Sequence, residues 1–337
     1  MRVLFDPEPR QAEEMFSPAD HTRFLAGFEV TVYEGEDRQD WYTAHLPTTD
    51  VLISQQPMGR DRLDSAPHLR AIFNVETNFL PNIDYEACFA RGIHVLAPSS
   101  VFAGPVAEIG LGMALSLARG IHTAHADFTA SKERYGLAGN EQAELLSGAD
   151  IGFIGFGDLG VALHRLLAGF QATLRVYDPW LPDGYLDRAG VVPASLNEVL
   201  ETSRVVFVVA SITADNQCLI GARELERMQD GAMLVLLSRA AIVDFDAVRA
   251  AAASRRIRFA TDVFPEEPLA VDHPIRSTPG TLLSAHRAGA LAGALRQIGA
   301  LVLEDLDLIS RNLPPVSCKR AQRETVARMR SMPVEMS

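Results

Sequence analysis

Ionisable side chains follow three apolar runs in the C-terminal half of the sequence. Arg239 comes directly after "MLVLLS", a run apolar enough to be a strand buried on both faces. The segment "RFATDVFPEEP" supplies Asp262, Glu266 and Glu267, and "TLLSAH" ends in His286. A charge at the end of a buried strand is costly unless it is paired. These side chains are therefore candidates for a reaction centre.

An arginine, a carboxylate and a histidine together suit hydride transfer from a 2-hydroxy acid. The histidine takes the hydroxyl proton as hydride leaves C2, and the carboxylate orients the imidazole. The arginine holds the substrate carboxylate through two parallel hydrogen bonds. Each residue alone is equally compatible with a buried ion pair or a capped strand end. The occurrence of all three types at strand ends favours catalysis, with the choice among the three carboxylates open.

The segment "IGFIGFGDLG" contains Gly155, Gly157 and Gly160 in the pattern G-x-G-x-x-G. It follows an apolar strand and precedes the helical pattern "VALHRLLAGF", which is the setting of a dinucleotide-binding turn. The first glycine permits a tight turn, the second allows a pyrophosphate to approach the backbone, and the third allows the helix to pack on the strand. The motif predicts a dinucleotide cofactor at the helix N-terminus.

The next strand, "TLRVYDPW", ends at Asp178. A carboxylate at this place accepts hydrogen bonds from the adenosine ribose hydroxyls and repels a 2′-phosphate, so it favours NAD over NADP. The alternative is a surface acid that opens a turn before Pro179.

Composition restricts the classes of partner. The chain has 337 residues, 47% of them hydrophobic, which predicts two domains, and a net charge of -12, which argues against nucleic acid and anionic membranes. Cys88, Cys218 and Cys318 have no metal-type spacing and are expected to be reduced thiols, and no metal site is predicted. No stretch is expected to reach the length of a membrane span, and no signal sequence is recognised. We therefore expect a cytoplasmic protein.

Short apolar runs alternate with helical patterns along the chain, which predicts an α/β fold. The helical segment "VAEIGLGMALSLARG" carries Gly110 and Ala114 on one face, where small residues allow another helix to pack closely. A second helix is expected over residues 291–309, and irregular structure after Pro314 and Pro315. The predicted strands are "RVLF", "FEVTVY", "DVLISQ", "LRAIFNV", "HVLAP", "DIGFIGF", "ATLRVYD", "VVFVVAS", "AMLVLLS", "RFATDVF" and "TLLSAH".

The segments "GFIGFGDLG", "YDP", "SRAAIVD", "DVFPEEP" and "SAHRAGA", in this order, resemble the D-isomer-specific 2-hydroxyacid dehydrogenases. This family includes phosphoglycerate, glyoxylate/hydroxypyruvate, D-lactate and formate dehydrogenases. The resemblance implies two Rossmann-like, doubly wound domains. An NAD-binding domain at 101–290 would be inserted into a flavodoxin-like substrate domain formed by 1–100 and 291–337. It also implies a homodimer.

The resemblance implies a role for individual residues. Arg239 would bind the substrate carboxylate, His286 would be the acid and base, and Glu267, rather than Glu266, would orient the histidine. The residues implied or predicted to bind NAD are Gly155, Gly157, Asp158, Leu159, Gly160, Asp178, Ala210, Ser211, Ser238, Asp262, Ala288 and Gly289.

The chain departs from the family in the expected substrate-binding segments. The loop "NVETNFLPNID" lacks the family's glycines, and Phe102 replaces a common asparagine. A strand-end "H-x-P" is replaced by Val209, Ala210 and Ser211. We expect a small 2-hydroxy or 2-keto acid substrate with an uncharged tail, and an NAD(H)-responsive interaction protein on the same fold is the alternative function. The expected substrate contacts are Glu76, Thr77, Asn78, Phe79, Phe102 and Arg239.

Overall fold

Two sheets, each in its own unit, organise the chain. The protein is described by a computed structural model, which covers residues 1–75 and 79–328. One compact unit contains residues 1–102 and the segment from Ala290 onward, and the other contains Ala103–Gly289. We call them the outer unit and the inserted unit, because the second interrupts the sequence of the first.

The strands and helices are numbered in chain order. The strands are β1 Arg2–Asp6, β2 Glu29–Val32, β3 Val51–Ser54, β4 Ala71–Phe73, β5 His94–Ala97, β6 Asp150–Ile154, β7 Thr173–Tyr177, β8 Val192–Pro193, β9 Val205–Val208, β10 Ala232–Leu236, β11 Ile257–Thr261, β12 Thr281–Leu283 and β13 Lys319–Arg320. The helices are α1 Ala12–Met15, α2 Pro18–Gly27, α3 Arg38–His45, α4 Arg60–Asp64, α5 Tyr85–Arg91, α6 Ala103–Arg119, α7 Ile121–Thr129, α8 Asp158–Leu167, α9 Asp183–Arg188, α10 Leu196–Thr202, α11 Ala222–Arg227, α12 Phe245–Ala253, α13 Ala292–Leu295, α14 Gln297–Ser310 and α15 Arg323–Val326.

The outer unit has a sheet in the order β13-β5-β4-β3-β1-β2. Strands β1 to β5 are parallel and follow the flavodoxin-like order 2-1-3-4-5, and β13 joins the edge antiparallel to β5. The core strand β3 is buried on both faces, which explains its continuous apolar sequence. The flavodoxin-like fold predicted for this part of the chain is confirmed.

The inserted unit has a parallel sheet in the order β12-β11-β10-β9-β6-β7-β8. Counted from β6, this is the Rossmann order 3-2-1-4-5-6 with one additional strand beside the sixth. The chain order reverses between β6 and β9, so these two strands mark the point where ligands bind in such sheets. The predicted doubly wound fold is confirmed here as well.

Helix α6 shows the close packing predicted from its small residues. A Cβ atom on Gly110 would lie 2.4 Å from Cδ1 of Leu237 and 3.6 Å from Cδ2 of Leu163, which belongs to α8. The expectation that no segment reaches the length of a membrane span is wrong. Ser99–Arg119 is long and apolar enough for one by length and composition alone, with a mean hydropathy of 1.6 over 18 residues. The buried face of α6 packs in the core of the inserted unit, which accounts for the apolar sequence.

The segment after Pro315 is not irregular throughout, which corrects the expectation from the sequence. The Asp305 carboxylate on α14 is buried and accepts hydrogen bonds from the backbone N–H groups of Val316, Ser317 and Cys318 at 2.7 to 2.9 Å. These bonds fix the chain just before β13, which then pairs with β5. A buried acid that binds backbone groups therefore orders a segment whose own sequence has no strand pattern.

Candidate active site

The glycine-rich turn lies between β6 and α8, as the motif predicts. Gly155 has a φ of +91°, and a Cβ atom there would lie 2.5 Å from Cα of Ala210 at the end of β9. Gly157 is exposed, and a Cβ atom on it would meet no described atom within 4 Å. Gly160 is buried against the Gly155 carbonyl oxygen, 3.1 Å from an added Cβ. The turn is therefore tight at its first glycine and open over the N-terminus of α8.

Asp178 follows β7 and binds this turn. Its Oδ2 accepts a hydrogen bond from the Phe156 backbone N–H at 2.8 Å, and its Oδ1 accepts one from the Trp180 N–H at 3.0 Å. Each carboxylate oxygen retains a further lone pair for a ligand hydroxyl. Asp178 thus holds the loop between Gly155 and Gly157 in place, a contact that the sequence did not predict.

His286 and Glu267 form a close pair at the ends of β12 and β11. The imidazole Nδ1 lies 2.5 Å from Oε2 of Glu267, while Oε1 of Glu267 accepts a hydrogen bond from the Phe264 N–H at 2.8 Å. The His286 side chain is 46% exposed. Because Nδ1 is engaged by Glu267, Nε2 is the ring nitrogen left to exchange a proton with a ligand.

Asp262 fixes the backbone that carries His286. Its carboxylate is 1% exposed and accepts hydrogen bonds from the N–H groups of Arg287 at 3.1 Å and Ala288 at 2.9 Å. Its own carbonyl oxygen accepts the His286 N–H at 2.7 Å. His286 has a left-handed φ of 45°, which is uncommon for a residue other than glycine. The three bonds around Asp262 hold this turn in position.

Arg239 lies at the same edge of the sheet, after β10. Its backbone is extended, with φ -145° and ψ 135°, and its Nη1 donates to the Ser238 carbonyl oxygen at 2.8 Å. Ser238 donates from Oγ to the carbonyl oxygen of Val208 at 3.3 Å. The strands β10, β11 and β12 are neighbours and parallel. Arg239, Glu267 and His286 therefore all follow the carboxyl-terminal edge of this sheet, that is, the edge formed by the carboxyl ends of its strands. The glycine-rich turn and Asp178 lie at that same edge.

Comparison with known proteins identifies the family. The sequence model of the D-isomer specific 2-hydroxyacid dehydrogenase, NAD binding domain, matches residues 111–288, which is more than half of the chain. The chain belongs to the D-isomer-specific 2-hydroxyacid dehydrogenase family. The match contains the glycine-rich turn, Asp178 and all three members of the predicted triad.

Similar proteins span several named members of this family. The crystal structure of a phosphoglycerate oxidoreductase from Rhizobium etli has 48% sequence identity and a TM-score of 0.87, covering 96% of this chain and 98% of that chain. The glyoxylate reductase of Thermofilum pendens is 29% identical over 303 residues, 85% of this chain and 87% of that protein. The D-3-phosphoglycerate dehydrogenase of Archaeoglobus fulgidus is 27% identical over 292 residues, 86% of this chain. The chain spans only 54% of the length of that dehydrogenase.

The other predicted cofactor residues of this family lie around the same edge. Asp158 begins α8 and is exposed, and Leu159 packs in its first turn against the core. Ser211 accepts a hydrogen bond from Asn216 Nδ2 at its carbonyl oxygen, 2.8 Å away. Ala210 follows β9, and Ala288 and Gly289 follow His286.

Two of the predicted substrate contacts, Phe79 and Phe102, belong to the outer unit. Glu76, Thr77 and Asn78 lie outside the described residues. The Phe79 ring stands edge-on to that of Tyr85, with centroids 6.4 Å apart. Phe102 is 8% exposed and packs in the core of the outer unit, so it offers little surface to a ligand.

Proposed function

We propose that the protein is an NAD(H)-dependent oxidoreductase that interconverts a D-2-hydroxy acid and its 2-keto acid. The observation that carries the proposal is the 2.5 Å contact between Glu267 and His286, at the sheet edge that also carries Arg239 and the glycine-rich turn. Membership of the family supports the same reaction class.

In the oxidative direction His286 takes the hydroxyl proton of the substrate on Nε2. The Glu267 carboxylate holds Nδ1 and so favours the imidazolium that results. The Arg239 guanidinium pairs with the substrate carboxylate. In the reductive direction it also polarises the C2 carbonyl of the keto acid. In the reductive direction His286 returns the proton to the carbonyl oxygen. A dinucleotide held by the glycine-rich turn and Asp178 would supply, through its nicotinamide, the acceptor for the C2 hydride in oxidation and the donor in reduction.

The residues of the glycine-rich turn fit a dinucleotide. The open space over Gly157 and the N-terminus of α8 suits a pyrophosphate, since free N–H groups at a helix N-terminus favour an anion. Asp178 is placed to accept hydrogen bonds from ribose hydroxyls. Among the described residues, no arginine is bonded to the Asp178 carboxylate, and so none is held there to bind a 2′-phosphate. We therefore propose NAD rather than NADP.

For the substrate we propose a monocarboxylic 2-keto acid with an uncharged tail. The sequences "NVETNFLPNID" and "PSSVFAGPV" contain no lysine or arginine to bind a phosphate, and Glu76 would repel one. The name of the Rhizobium etli relative makes phosphohydroxypyruvate the competing substrate.

Steady-state reduction of a panel of 2-keto acids, followed by NADH absorbance, tests both proposals. We expect kcat/KM for hydroxypyruvate or a branched 2-keto acid to exceed that for phosphohydroxypyruvate. A preference for the phosphorylated acid contradicts the substrate proposal but keeps the reaction class. Binding of NADH without turnover of any 2-keto acid contradicts the reaction class and favours the interaction protein.

We further propose a cytoplasmic homodimer in which the inserted unit is the NAD domain and the outer unit binds the substrate. The dimer is supported by the segment after α6. None of residues 121–129, all of which the structure describes, is buried. Light scattering of the purified protein measures the assembly. The large apolar side chains exposed between residues 121 and 145 are Ile121, Phe128, Tyr135, Leu137 and Leu145.

A further inference from the structure

A cavity of about 300 Å³ lies in the outer unit, at the amino ends of β4 and β5. It lies at the ends of both strands opposite to the carboxyl ends, where doubly wound sheets bind their substrates. Its size is at the lower end of ligand sites. We call it the His94 cavity; among its lining residues are Arg70, Arg91, His94, Leu69, Ile309 and Leu313.

The His94 cavity is cationic in a protein whose net charge is -12. Arg70 and Arg91 line it, and no acidic side chain of residues 1–75 or 79–328 does. Neither arginine forms an ion pair with a described acid. Arg91 instead donates to the carbonyl oxygens of Leu63 and Ala66. In the part of the chain that the structure covers, no carboxylate therefore lines this cavity or pairs with its two arginines.

Arg70 keeps donors for a ligand while its position is fixed. Its Nη2 donates to the Ile309 carbonyl oxygen at 2.5 Å and to Oδ1 of Asn312 at 2.7 Å, and so closes the C-terminus of α14. The described residues accept no hydrogen bond from its Nε or Nη1. A guanidinium held on one side and open on the other is well suited to bind an oxyanion.

His94 adds a second group that gains from an anion. Its backbone N–H binds the Arg70 carbonyl oxygen at 2.9 Å, and its imidazole has no hydrogen-bond partner within the described chain. Burial first, and then the charges of Arg320 and Arg70, lower the pKa of His94. Asp305 acts in the opposite sense, but its carboxylate already accepts three backbone N–H groups. A bound anion would favour the imidazolium.

We propose that the His94 cavity binds the oxyanion of a small organic phosphate or carboxylate, held by the Arg70 guanidinium and the His94 imidazole. The apolar part of this ligand packs against Leu69, Ile309 and Leu313. The residues that line this cavity belong to the outer unit, whereas Arg239 belongs to the inserted unit, and the proposal does not depend on the proposed reaction. Binding tightens as the pH falls, because protonated His94 adds a positive charge that faces Arg70, Arg91, Arg320 and Asp305.

Nuclear magnetic resonance of the histidine rings tests the proposal on the full chain. The probes are phenyl phosphate and benzoate, with inorganic phosphate for the bare anion and benzyl alcohol as the neutral analogue. The His94 signals, assigned with His94→Gln, should shift saturably with a millimolar dissociation constant for at least one aromatic anion. The stronger of the two identifies phosphate or carboxylate as the preferred group. Because the pKa of His94 is lowered, affinity for benzoate, which stays ionised, should rise as the pH falls from about 7 to about 5.

Leu313, which is 45% exposed, allows a matched pair of variants that leaves the α14 cap intact. Leu313→Glu places a negative charge at the cavity and should weaken anion binding up to about fivefold, whereas Leu313→Gln should weaken it less. Arg70→Gln should abolish binding if the variant folds. The proposal is overturned if the anions cause no saturable shift, if benzyl alcohol shifts His94 equally, or if Leu313→Gln weakens binding as much as Leu313→Glu.

Discussion

The two sheets carry acids at the carboxyl ends of their strands, but these acids have different partners. In the inserted unit, Asp178 and Asp262 accept hydrogen bonds from backbone N–H groups of the glycine-rich turn and of the His286 turn. In the outer unit, Asp6 ends β1 and accepts a hydrogen bond from the Tyr42 hydroxyl at 2.9 Å, and Nε of Arg38 lies 3.2 Å from its Oδ2.

The partners decide what each edge can do. Carboxylates that bind backbone groups shape loops whose other groups stay exposed, as His286 and Gly157 do. The Asp6 carboxylate and the Tyr42 hydroxyl are both fully buried and form a network with Ser54, whose Oγ is 2.8 Å from the hydroxyl. In this protein we therefore expect a ligand near the strand-end acids that bind backbone N–H groups of loops, and not at Asp6, whose partners are side chains.

The largest effect on activity is expected from a change in the exposed His286 loop of the inserted unit. His286→Ala removes the proton acceptor, so kcat for the 2-keto acid that the protein reduces best should fall by on the order of a hundredfold or more, while NADH still binds. Stopped-flow turnover and NADH fluorescence measure the two quantities. His68→Ala, at an exposed position of the outer unit, is the matched control and should keep kcat. An unchanged kcat in His286→Ala rules out the mechanism.

Asp262→Asn tests whether a backbone-bound carboxylate acts through His286. The amide replaces one acceptor by a donor and leaves one buried N–H unpaired, at a cost of about 1–3 kcal/mol. We expect kcat to fall by about ten- to a hundredfold with little change in NADH affinity, and the melting temperature to drop. The exposed Asp272→Asn is the control. A loss of NADH affinity at constant kcat would instead assign Asp262 to the cofactor, as the family resemblance implies.

Arg239→Lys should raise KM and lower kcat, each by about tenfold, because a point charge does not reproduce two parallel hydrogen bonds. Initial-rate kinetics over a range of substrate concentrations separates the two parameters. Arg249→Lys on α12 makes the same chemical change away from this edge and should alter neither. If lysine at 239 is fully tolerated, Arg239 does not clamp the substrate carboxylate.

Asp178→Ala should narrow the preference for NAD over NADP by about tenfold, since it removes the acceptor for the ribose hydroxyls. It also frees the Phe156 N–H, so NADH affinity should fall. Asp178→Asn separates these effects, because it removes the charge and keeps one acceptor. Dissociation constants for the two cofactors are the measurement. Equal use of NADP by the unaltered protein would contradict the role given to Asp178.

The sequence predicts most of the fold because of how parallel sheets are buried. Every apolar run predicted as a strand contains one. The central strands β3, β9 and β10 are buried along their whole length, which explains their continuous apolar sequences. The two-residue strands β8 and β13 have no such run and were missed. The order of apolar runs also places Arg239, Glu267 and His286 after neighbouring strands, which is why their shared edge was predictable.

What the sequence does not predict are bonds between a side chain and a distant backbone group. Asp262 binds the N–H groups of Arg287 and Ala288, and Asp178 binds that of Phe156, and no residue pattern marks an N–H as a partner. The same holds for Asp305, whose bonds order the C-terminal segment. In each case the acid was visible in the sequence, but its partner depended on the fold.

Asp6→Asn should have the smallest effect on activity, because the Asp6 carboxylate is fully buried in the outer unit. Burial raises the pKa of Asp6, against the Tyr42 hydrogen bond and the Arg38 charge, which lower it. The folded state thus binds the Asp6 proton more tightly than the unfolded state does. The binding of this proton therefore adds to the free energy of unfolding below the ordinary Asp pKa. This contribution is lost as the pH rises through the raised pKa of the folded state.

The asparagine variant does not titrate, so its stability relative to the parent protein should increase with pH across the window above the ordinary Asp pKa of 3.8. Urea unfolding at several pH values measures this difference, and kcat/KM should change less than about twofold. Glu8→Gln removes the exposed carboxylate that also contacts Arg38 and controls for the loss of an ion pair. A large loss of activity in Asp6→Asn, with normal stability, would show that the buried edge of the outer unit resembles the exposed edge of the inserted unit after all.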